Sequence, residues 1–138
     1  SLAYLLSKFE DIKIIFVSPN NLKIKNEIKE YLEKRKVKFE EKTDLNEVLK
    51  IADVIYLTRI QRERMNVSDY EMAKGKYSVN SHNLGQIKST SRIMHPLPHV
   101  EEIDLPIEVE EKDKRVAYFR QAENGVYARM ALLEHLLT

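Results

Sequence analysis

The sequence contains no cysteine and no tryptophan, and only three of its 138 residues are glycine. Without cysteine the chain can form neither a disulfide nor a thiolate metal site, a composition typical of a reducing compartment. Gly75, Gly85 and Gly125 are isolated from one another. Dinucleotide and nucleoside-triphosphate sites of the usual kind need clustered glycines, so the sequence argues against both.

A strong excess of charge and long apolar runs are also missing. Lysine and arginine number 23 and aspartate and glutamate 22, so the net charge of +1 creates no field that attracts nucleic acid or a membrane surface. No apolar run approaches the roughly 20 residues that a membrane helix needs. With 43% hydrophobic and 33% charged residues, the chain has the composition of a globular domain with its own core. We expect neither nucleic acid nor a membrane as a partner.

Short runs rich in β-branched and aromatic residues alternate with helical patterns. The strand-like runs cover residues 12–19, 52–58, 76–80 and 92–97, with a weaker one at 37–41. Apolar residues at helical spacing predict helices over 20–36, 43–52 and 122–138, the second capped by Asp44 or, less well, by Thr43. This alternation predicts one α/β domain with a mainly parallel sheet and right-handed crossovers.

The segment "TRIQRER" follows the run 52–58, at the strand end where parallel sheets bind ligands. Its long polar side chains are Arg59, Gln61, Arg62 and Arg64. Guanidinium groups match carboxylate or phosphate in bidentate geometry, which favours an anion site. The first alternative is a solvated loop that Glu63 partly neutralises. The second is a nucleic-acid patch, against which the small net charge and the lack of interleaved aromatics argue.

The segment "HPLPH", residues 95–99, follows the run 92–97 in the same way. Proline has no N–H, so Pro96 and Pro98 must end the strand. Either proline bond can be cis, which would aim carbonyl groups into the crevice, although an ordinary trans loop is the commoner case. Two histidines four apart form a metal face only on a helix, which the prolines exclude, so His95 and His99 are better interpreted as loop-packing or surface residues.

Three stretches, "YLTRIQRER", "MHPLPHVEEI" and "AYFRQAENGVYARMALL", resemble the carboxyl-terminal, aspartate-binding half of the aspartate carbamoyltransferases. The resemblance covers essentially the whole chain, is specific in order and spacing, and points to eukaryotic, particularly plant, members. Ornithine carbamoyltransferases carry different residues at both strand ends. The implied fold is a three-layer, Rossmann-like domain over residues 1–138, with a mainly parallel sheet of four to five strands and helices on both faces.

The resemblance also implies a reaction and its main residues. The family transfers a carbamoyl group from carbamoyl phosphate to L-aspartate in pyrimidine biosynthesis, with no cofactor and no metal. Arg59 and Gln61 resemble the residues that hold the aspartate carboxylates. Pro96 and Leu97 resemble those whose backbone carbonyls receive the carbamoyl amino group, and the Leu97–Pro98 bond is implied to be cis.

Further residues resemble those that support the site or close the enzyme around its substrates. Arg64 resembles an arginine that bridges the two halves, and Asp69 and Tyr70 lie in the matching mobile loop. The supporting residues are Thr58, Arg62, Arg64, Asp69, Tyr70, Pro98 and His99. The family usually has arginine where this chain has His99, which replaces a permanent charge by one that depends on pH.

In the family, the phosphate cradle and the catalytic histidine belong to an amino-terminal carbamoyl-phosphate domain, whose motifs these 138 residues do not contain. We therefore expect this chain alone to be inactive, with His95 not serving as the catalytic histidine. The resemblance implies a homotrimer for the complete enzyme, allows a monomer for this fragment, and implies a cytoplasmic location, or a plastid one for a plant-type protein. The alternative is a non-catalytic module that keeps the fold and binds an anion or a protein.

Overall fold

The computed structural model describes residues 1–59, 67–73 and 75–138. Gln61, Arg62 and Arg64 lie outside the described residues, as does the side chain of Asp69. In the described parts of the chain, no helix is both long and apolar enough to cross a membrane. The chain divides into two compact units, Ser1–Val48 and Leu49–Thr138.

The first unit is built on one pair of parallel strands. Its elements are α1 (Leu2–Leu6), β1 (Lys13–Val17), a 3₁₀ turn (Asn20–Leu22), α2 (Asn26–Lys34), β2 (Lys38–Lys42) and most of α3 (Leu45–Leu49). Strands β1 and β2 run parallel with Ile15 opposite Glu40. The apolar face of α2 packs inward, because Leu32 is fully buried. The carboxylate of Asp44 accepts a hydrogen bond from the N–H of Asn46 at 2.8 Å, so the predicted cap of α3 is confirmed.

The second unit holds the two strand ends that the sequence singles out. Its elements are β3 (Val54–Tyr56), α4 (Val67–Ala73), β4 (Val79–Asn80), a 3₁₀ turn (Leu84–Gln86), β5 (Arg92–Met94), β6 (Ile103–Asp104), α5 (Ile107–Lys112) and α6 (Tyr118–Leu137). Strand β3 pairs in parallel with β5, and β4 with β6. An isolated parallel bridge joins Ile93 to Val116, so β5 lies between β3 and residue 116. The buried side chains of Ile55, Ile93 and Tyr118 form part of the core.

The α/β class and the parallel pairing of the strands are confirmed, and each predicted strand overlaps an observed one. Within the described residues the strands form three two-stranded sheets. A single sheet of four to five strands, and one domain over residues 1–138, therefore stay predictions. Strand β5 ends at Met94, two residues before the first proline, as the missing proline N–H requires.

The helices differ from the sequence-based prediction mainly in their bounds. Helix α6 begins at Tyr118 rather than at residue 122, because Tyr118 packs into the core and Gln121 donates a helical hydrogen bond to the carbonyl of Ala117. Helix α2 is shorter than the predicted 20–36. Helices α4 and α5 were not predicted, and α5 follows Pro106, a residue that favours helix starts.

Candidate functional site

The carboxyl ends of β3 and β5 lie side by side. Tyr56 is opposite Met94 in the parallel register, and the N–H of Leu57 donates to the carbonyl of Met94 at 2.9 Å. The residues that follow each strand, Thr58 and Arg59 on one side and "HPL" on the other, therefore leave the sheet at the same edge. For Thr58, Arg59 and "HPL", the prediction that the two strand ends share one edge is confirmed, whereas residues 60–64 lie outside the described residues. Thr58 and Arg59 are both exposed.

The backbone between the two prolines has an unusual conformation. The Leu97–Pro98 bond is cis, as the resemblance implied. Leu97 itself has a φ of 53°, in the left-handed region that costs a non-glycine residue about 1–3 kcal/mol. Its N–H donates to Nδ1 of His95 at 2.9 Å. The hydrogen bond to His95 therefore helps to hold Leu97 in this unfavourable conformation.

His95 lies at the centre of a buried polar network. Its ring is 2% exposed, and Nε2 lies 2.8 Å from Oε1 of Glu102, which is equally buried. The same carboxylate oxygen accepts the N–H of Val100 at 3.1 Å. Burial lowers the pKa of His95, and the carboxylate of Glu102 opposes this shift only in part. The interpretation of His95 as a loop-packing residue is confirmed.

Gln121 connects this network to strand β3. Its side-chain carbonyl accepts the N–H of His95 at 3.0 Å, and its side-chain amide donates to the hydroxyl of Tyr56 at 3.2 Å. The first turn of α6 therefore bridges the ends of β3 and β5. Through it, the position of the His95 backbone depends on both strands.

His99, which stands where the family usually has arginine, also meets a carboxylate. Its Nε2 lies 2.9 Å from Oε1 of Glu110 in α5, and the Tyr118 hydroxyl donates to the same oxygen at 2.6 Å. The rings of His99 and Tyr118 meet edge-on, with centroids 5.4 Å apart. Burial, and then the Glu110 carboxylate, raise the pKa of the Tyr118 phenol. The loop after the second proline is thus tied to α5 and α6.

Tyr70 connects α4 to the same loop. Its hydroxyl donates to the carboxylate of Glu101, while Asp69 and Tyr70, implied to lie in a mobile loop, belong to the helix. Each of the paired glutamates after "HPLPH" therefore has its own role: Glu101 binds the tyrosine of α4, and Glu102 binds the buried histidine. The hydrogen bond to Glu101 is consistent with the supporting role that the resemblance implies for Tyr70.

Sequence reasoning missed six residues of these contacts. They are Tyr56, Glu101, Glu102, Glu110, Tyr118 and Gln121. The adjacent glutamates at 101 and 102 were a visible signal, but alternation alone does not reveal that one of them is buried. The hydrogen bond that joins α6 to α5 runs from Tyr118 to Glu110, and Glu110 lies in a helix that was not predicted.

Comparison with known proteins identifies the family. The family model "Aspartate/ornithine carbamoyltransferase, Asp/Orn binding domain" matches residues 1–136. Aspartate carbamoyltransferase 1, chloroplastic, of Pisum sativum is 51% identical over 139 residues, which cover 99% of this chain and 35% of the relative. Aspartate carbamoyltransferase, chloroplastic, of Arabidopsis thaliana is 52% identical with the same coverage. The chain thus spans about a third of the length of these relatives.

Solved structures agree with the sequence relatives. The catalytic subunit of M. jannaschii aspartate transcarbamoylase matches with a TM-score of 0.87 at 40% identity, over 99% of this chain and 44% of that one. The Trypanosoma cruzi aspartate transcarbamoylase in complex with carbamoyl aspartate and phosphate matches with a TM-score of 0.83 at 33% identity, over 96% and 43% of the two chains. The chain belongs to the aspartate/ornithine carbamoyltransferase family, whose Asp/Orn binding domain it matches, and it is similar to aspartate carbamoyltransferases.

Proposed function

We propose that this chain is the aspartate-binding half of an aspartate carbamoyltransferase that acts in pyrimidine biosynthesis. The observation that carries the proposal is the parallel register of β3 and β5, which brings Arg59 and the "HPL" backbone to one edge of the sheet. The similarity to complete aspartate carbamoyltransferases supports it. The relative from T. cruzi has been solved with carbamoyl aspartate and with carbamoyl phosphate, the product and a substrate of this reaction.

The residues at the two strand ends divide the substrates between them. Arg59, with Gln61, binds the aspartate carboxylates, since a guanidinium group can donate two parallel hydrogen bonds to a carboxylate. The backbone carbonyls of Pro96 and Leu97 accept hydrogen bonds from the carbamoyl amino group. The residues proposed to support the site or its closure are Thr58, Arg62, Arg64, Asp69, Tyr70, Pro98 and His99.

The chemistry needs orientation more than reactive side chains. The neutral amine of aspartate attacks the carbonyl carbon of carbamoyl phosphate and forms a C–N bond and a tetrahedral, anionic intermediate. The intermediate collapses as the C–O bond to phosphate breaks, phosphate leaves with the electron pair, and the nitrogen loses a proton. This chain holds the nucleophile and one face of the carbamoyl group, so its contribution is proximity and alignment.

The remaining part of the site is proposed to come from an amino-terminal carbamoyl-phosphate domain. Helix α6 supports this proposal, because apolar side chains at helical spacing along it are exposed: Val126 by 48%, Met130 by 60%, Leu133 by 58% and Leu137 by 83%. A contiguous exposed apolar face marks an interaction surface. The complete enzyme is proposed to be a homotrimer, and this chain alone a monomer without turnover.

Two further proposals follow from the relatives. The strand pairs are proposed to belong to one mainly parallel sheet of four to five strands with helices on both faces, in a single three-layer, Rossmann-like domain over residues 1–138. Because the Pisum sativum and Arabidopsis thaliana relatives are chloroplastic, a plastid location is proposed for a plant-type protein, and a cytoplasmic one otherwise. Microscopy of a fluorescent fusion to the complete gene product tests the location.

Binding of succinate tests the proposed site without turnover, since succinate has both carboxylates of aspartate but no amine. The chain is mixed with the carbamoyl-phosphate domain of the Arabidopsis thaliana relative, and succinate is titrated calorimetrically in the presence of carbamoyl phosphate. Loss of charge-assisted hydrogen bonds worth about 1.5–3 kcal/mol predicts about 10- to 100-fold weaker binding for Arg59→Gln.

The matched control is Arg92→Gln, because Arg92 lies at the opposite end of strand β5 and donates to the neighbouring carbonyls of Thr90 and Ser91. This variant should bind succinate like the unchanged chain. A non-catalytic anion- or protein-binding module would ignore dicarboxylates altogether. Absence of succinate binding in a mixture whose domains associate contradicts the proposed function.

A further inference from the structure

The contacts of His95 fix which of its nitrogens carries the proton. The N–H of Leu97 donates to Nδ1 at 2.9 Å, so Nδ1 must be an unprotonated acceptor. In a neutral imidazole the single proton then resides on Nε2. That nitrogen lies 2.8 Å from Oε1 of Glu102, although the direction of the ring N–H does not make this contact a hydrogen bond. The Leu97 contact therefore selects the tautomer, and the nearby carboxylate is compatible with it.

The neutral form is also the one that the surroundings favour. Burial lowers the pKa of His95, the charge of Glu102 raises it, and the charge of His99, whose ring centroid is 6.2 Å away, lowers it again. The net direction is downward. A second proton would have to occupy Nδ1 and would break the hydrogen bond from Leu97.

The backbone of residues 96–98 has few groups through which a hydrogen bond could hold it. Pro96 and Pro98 have no N–H, so the N–H of Leu97 is the only backbone donor of the three residues. Its acceptor is the side chain of His95, in a chain segment where Leu97 has the unfavourable φ of 53°. Such conformations persist when the surroundings over-determine them, and they concentrate at functional sites.

Glu102 closes the loop around this contact. One oxygen, Oε1, meets both Nε2 of His95 at 2.8 Å and the N–H of Val100 at 3.1 Å. The start and the end of the segment 95–102 are thus held together by a single buried carboxylate. His95 is in turn fixed by the hydrogen bond from its N–H to Gln121 at 3.0 Å.

We propose that His95 is a positioning residue, whose imidazole, protonated on Nε2, holds the Leu97 backbone so that the carbonyls of Pro96 and Leu97 face the carbamoyl group. The role of the two carbonyls rests on the proposed function, whereas the tautomer and the Leu97 contact do not. The ring acts through the backbone and takes no part in proton transfer. Its two nitrogens have separate contacts: Nδ1 accepts the N–H of Leu97 at 2.9 Å, and Nε2 lies 2.8 Å from the Glu102 carboxylate.

Nuclear magnetic resonance of the unchanged chain tests the first half of the proposal. Long-range ¹H–¹⁵N correlation at pH 7 should show His95 as the neutral Nε2–H tautomer. A scalar coupling across the hydrogen bond should join the amide nitrogen of Leu97 to Nδ1. An Nδ1–H tautomer, or a charged ring at pH 7, overturns the proposal without any variant.

Two variants separate the two contacts in the enzyme reconstituted with the carbamoyl-phosphate domain. In His95→Asn, the side-chain oxygen can replace Nδ1 as acceptor for the N–H two residues on, an ordinary Asx turn, but cannot reach Glu102. In His95→Gln, the side-chain amide can replace Nε2 beside Glu102 but leaves the N–H of Leu97 without its acceptor. The surface variant His82→Gln controls for the loss of a histidine, because His82 is exposed.

The kinetic experiment measures kcat and KM separately for carbamoyl phosphate and for aspartate. We expect His95→Gln to lower kcat/KM for carbamoyl phosphate at least about tenfold more than His95→Asn does, with the KM for aspartate changing less in both. Equal effects of the two variants, or losses confined to aspartate, overturn the positioning role. If the unchanged chain reconstitutes no activity, the proposed function fails instead, and the resonance experiment still decides the tautomer and the Leu97 contact.

Discussion

Replacing Tyr118 by phenylalanine removes one hydroxyl from the most buried part of the second unit. That hydroxyl donates to Oε1 of Glu110 at 2.6 Å, while His99 approaches the same oxygen to 2.9 Å. The Tyr118 ring is 0% exposed, and the Glu110 side chain is 8% exposed. Phenylalanine fills almost the same volume, so the substitution tests the hydrogen bond rather than the packing.

The expected cost follows from the charge and burial of the acceptor. A hydrogen bond to a charged group contributes about 1.5–3 kcal/mol, and little water can reach Glu110 to replace it. With an unfolding entropy of about 2.1 cal/mol/K per residue over the 138 residues, Tyr118→Phe should lower Tm by about 5–10 °C. His99 remains as a partner, which places the loss below that of removing Glu110 altogether.

The assay is thermal and denaturant unfolding of the two matched variants Tyr118→Phe and Tyr127→Phe. Tyr127 lies in the same helix but is 61% exposed, so its variant should stay within about 0.5 kcal/mol of the unchanged chain. Spectroscopic titration gives a second readout, because the raised pKa of Tyr118 should delay its ionisation, and Tyr118→Phe should remove this late step. Equal stability of the two variants would show that the hydrogen bond from Tyr118 to Glu110 does not stabilise the fold.

The remaining predictions concern titration and the loop contacts. Burial depresses the pKa of His95 below its ordinary 6.5, so the unfolded chain binds more protons than the folded chain. The free energy of unfolding should therefore fall as pH drops below about 6.5. His95→Asn should flatten this part of the stability-versus-pH curve, and an unchanged slope would contradict the prediction. In the complete enzyme His99→Arg should change turnover, because it alters the contact with Glu110, and identical kinetics would show that this position has no role in turnover. Tyr70→Phe should speed amide exchange in α4 by about tenfold, the effect of losing about 1.4 kcal/mol, and unaltered exchange contradicts the contact with Glu101.

The sequence predicted the elements whose residues leave few choices. β-branched and aromatic residues over 52–58 and 92–97 marked β3 and β5, and the prolines fixed where β5 must end. Because parallel strands bring their carboxyl ends to one edge, the pairing of these two strands was enough to predict that Arg59 and "HPL" follow neighbouring strand ends. The cis bond at Pro98 came from the resemblance, since the residues alone left both proline bonds open.

The contacts around the loop could not be predicted, because they depend on burial and distance along the chain. Glu102 and Glu110 look like solvated charges in the sequence, yet each is buried against a histidine. Strand β6 has only two residues, too few for a pattern, and Tyr118 joined α6 because it packs into the core. The assignment of Gln61, Arg62 and Arg64, together with the side chain of Asp69, stays a prediction, since these groups lie outside the described residues.

This chain is proposed to supply half of a carbamoyltransferase active site. The most direct test measures N-carbamoyl-L-aspartate formed from carbamoyl phosphate and L-aspartate by this chain alone, by the carbamoyl-phosphate domain alone, and by the two together. We predict product only from the mixture, and about 10- to 100-fold less when the chain carries Arg59→Gln. Robust product from this chain alone, or none from a mixture in which the two domains associate, would contradict the claim.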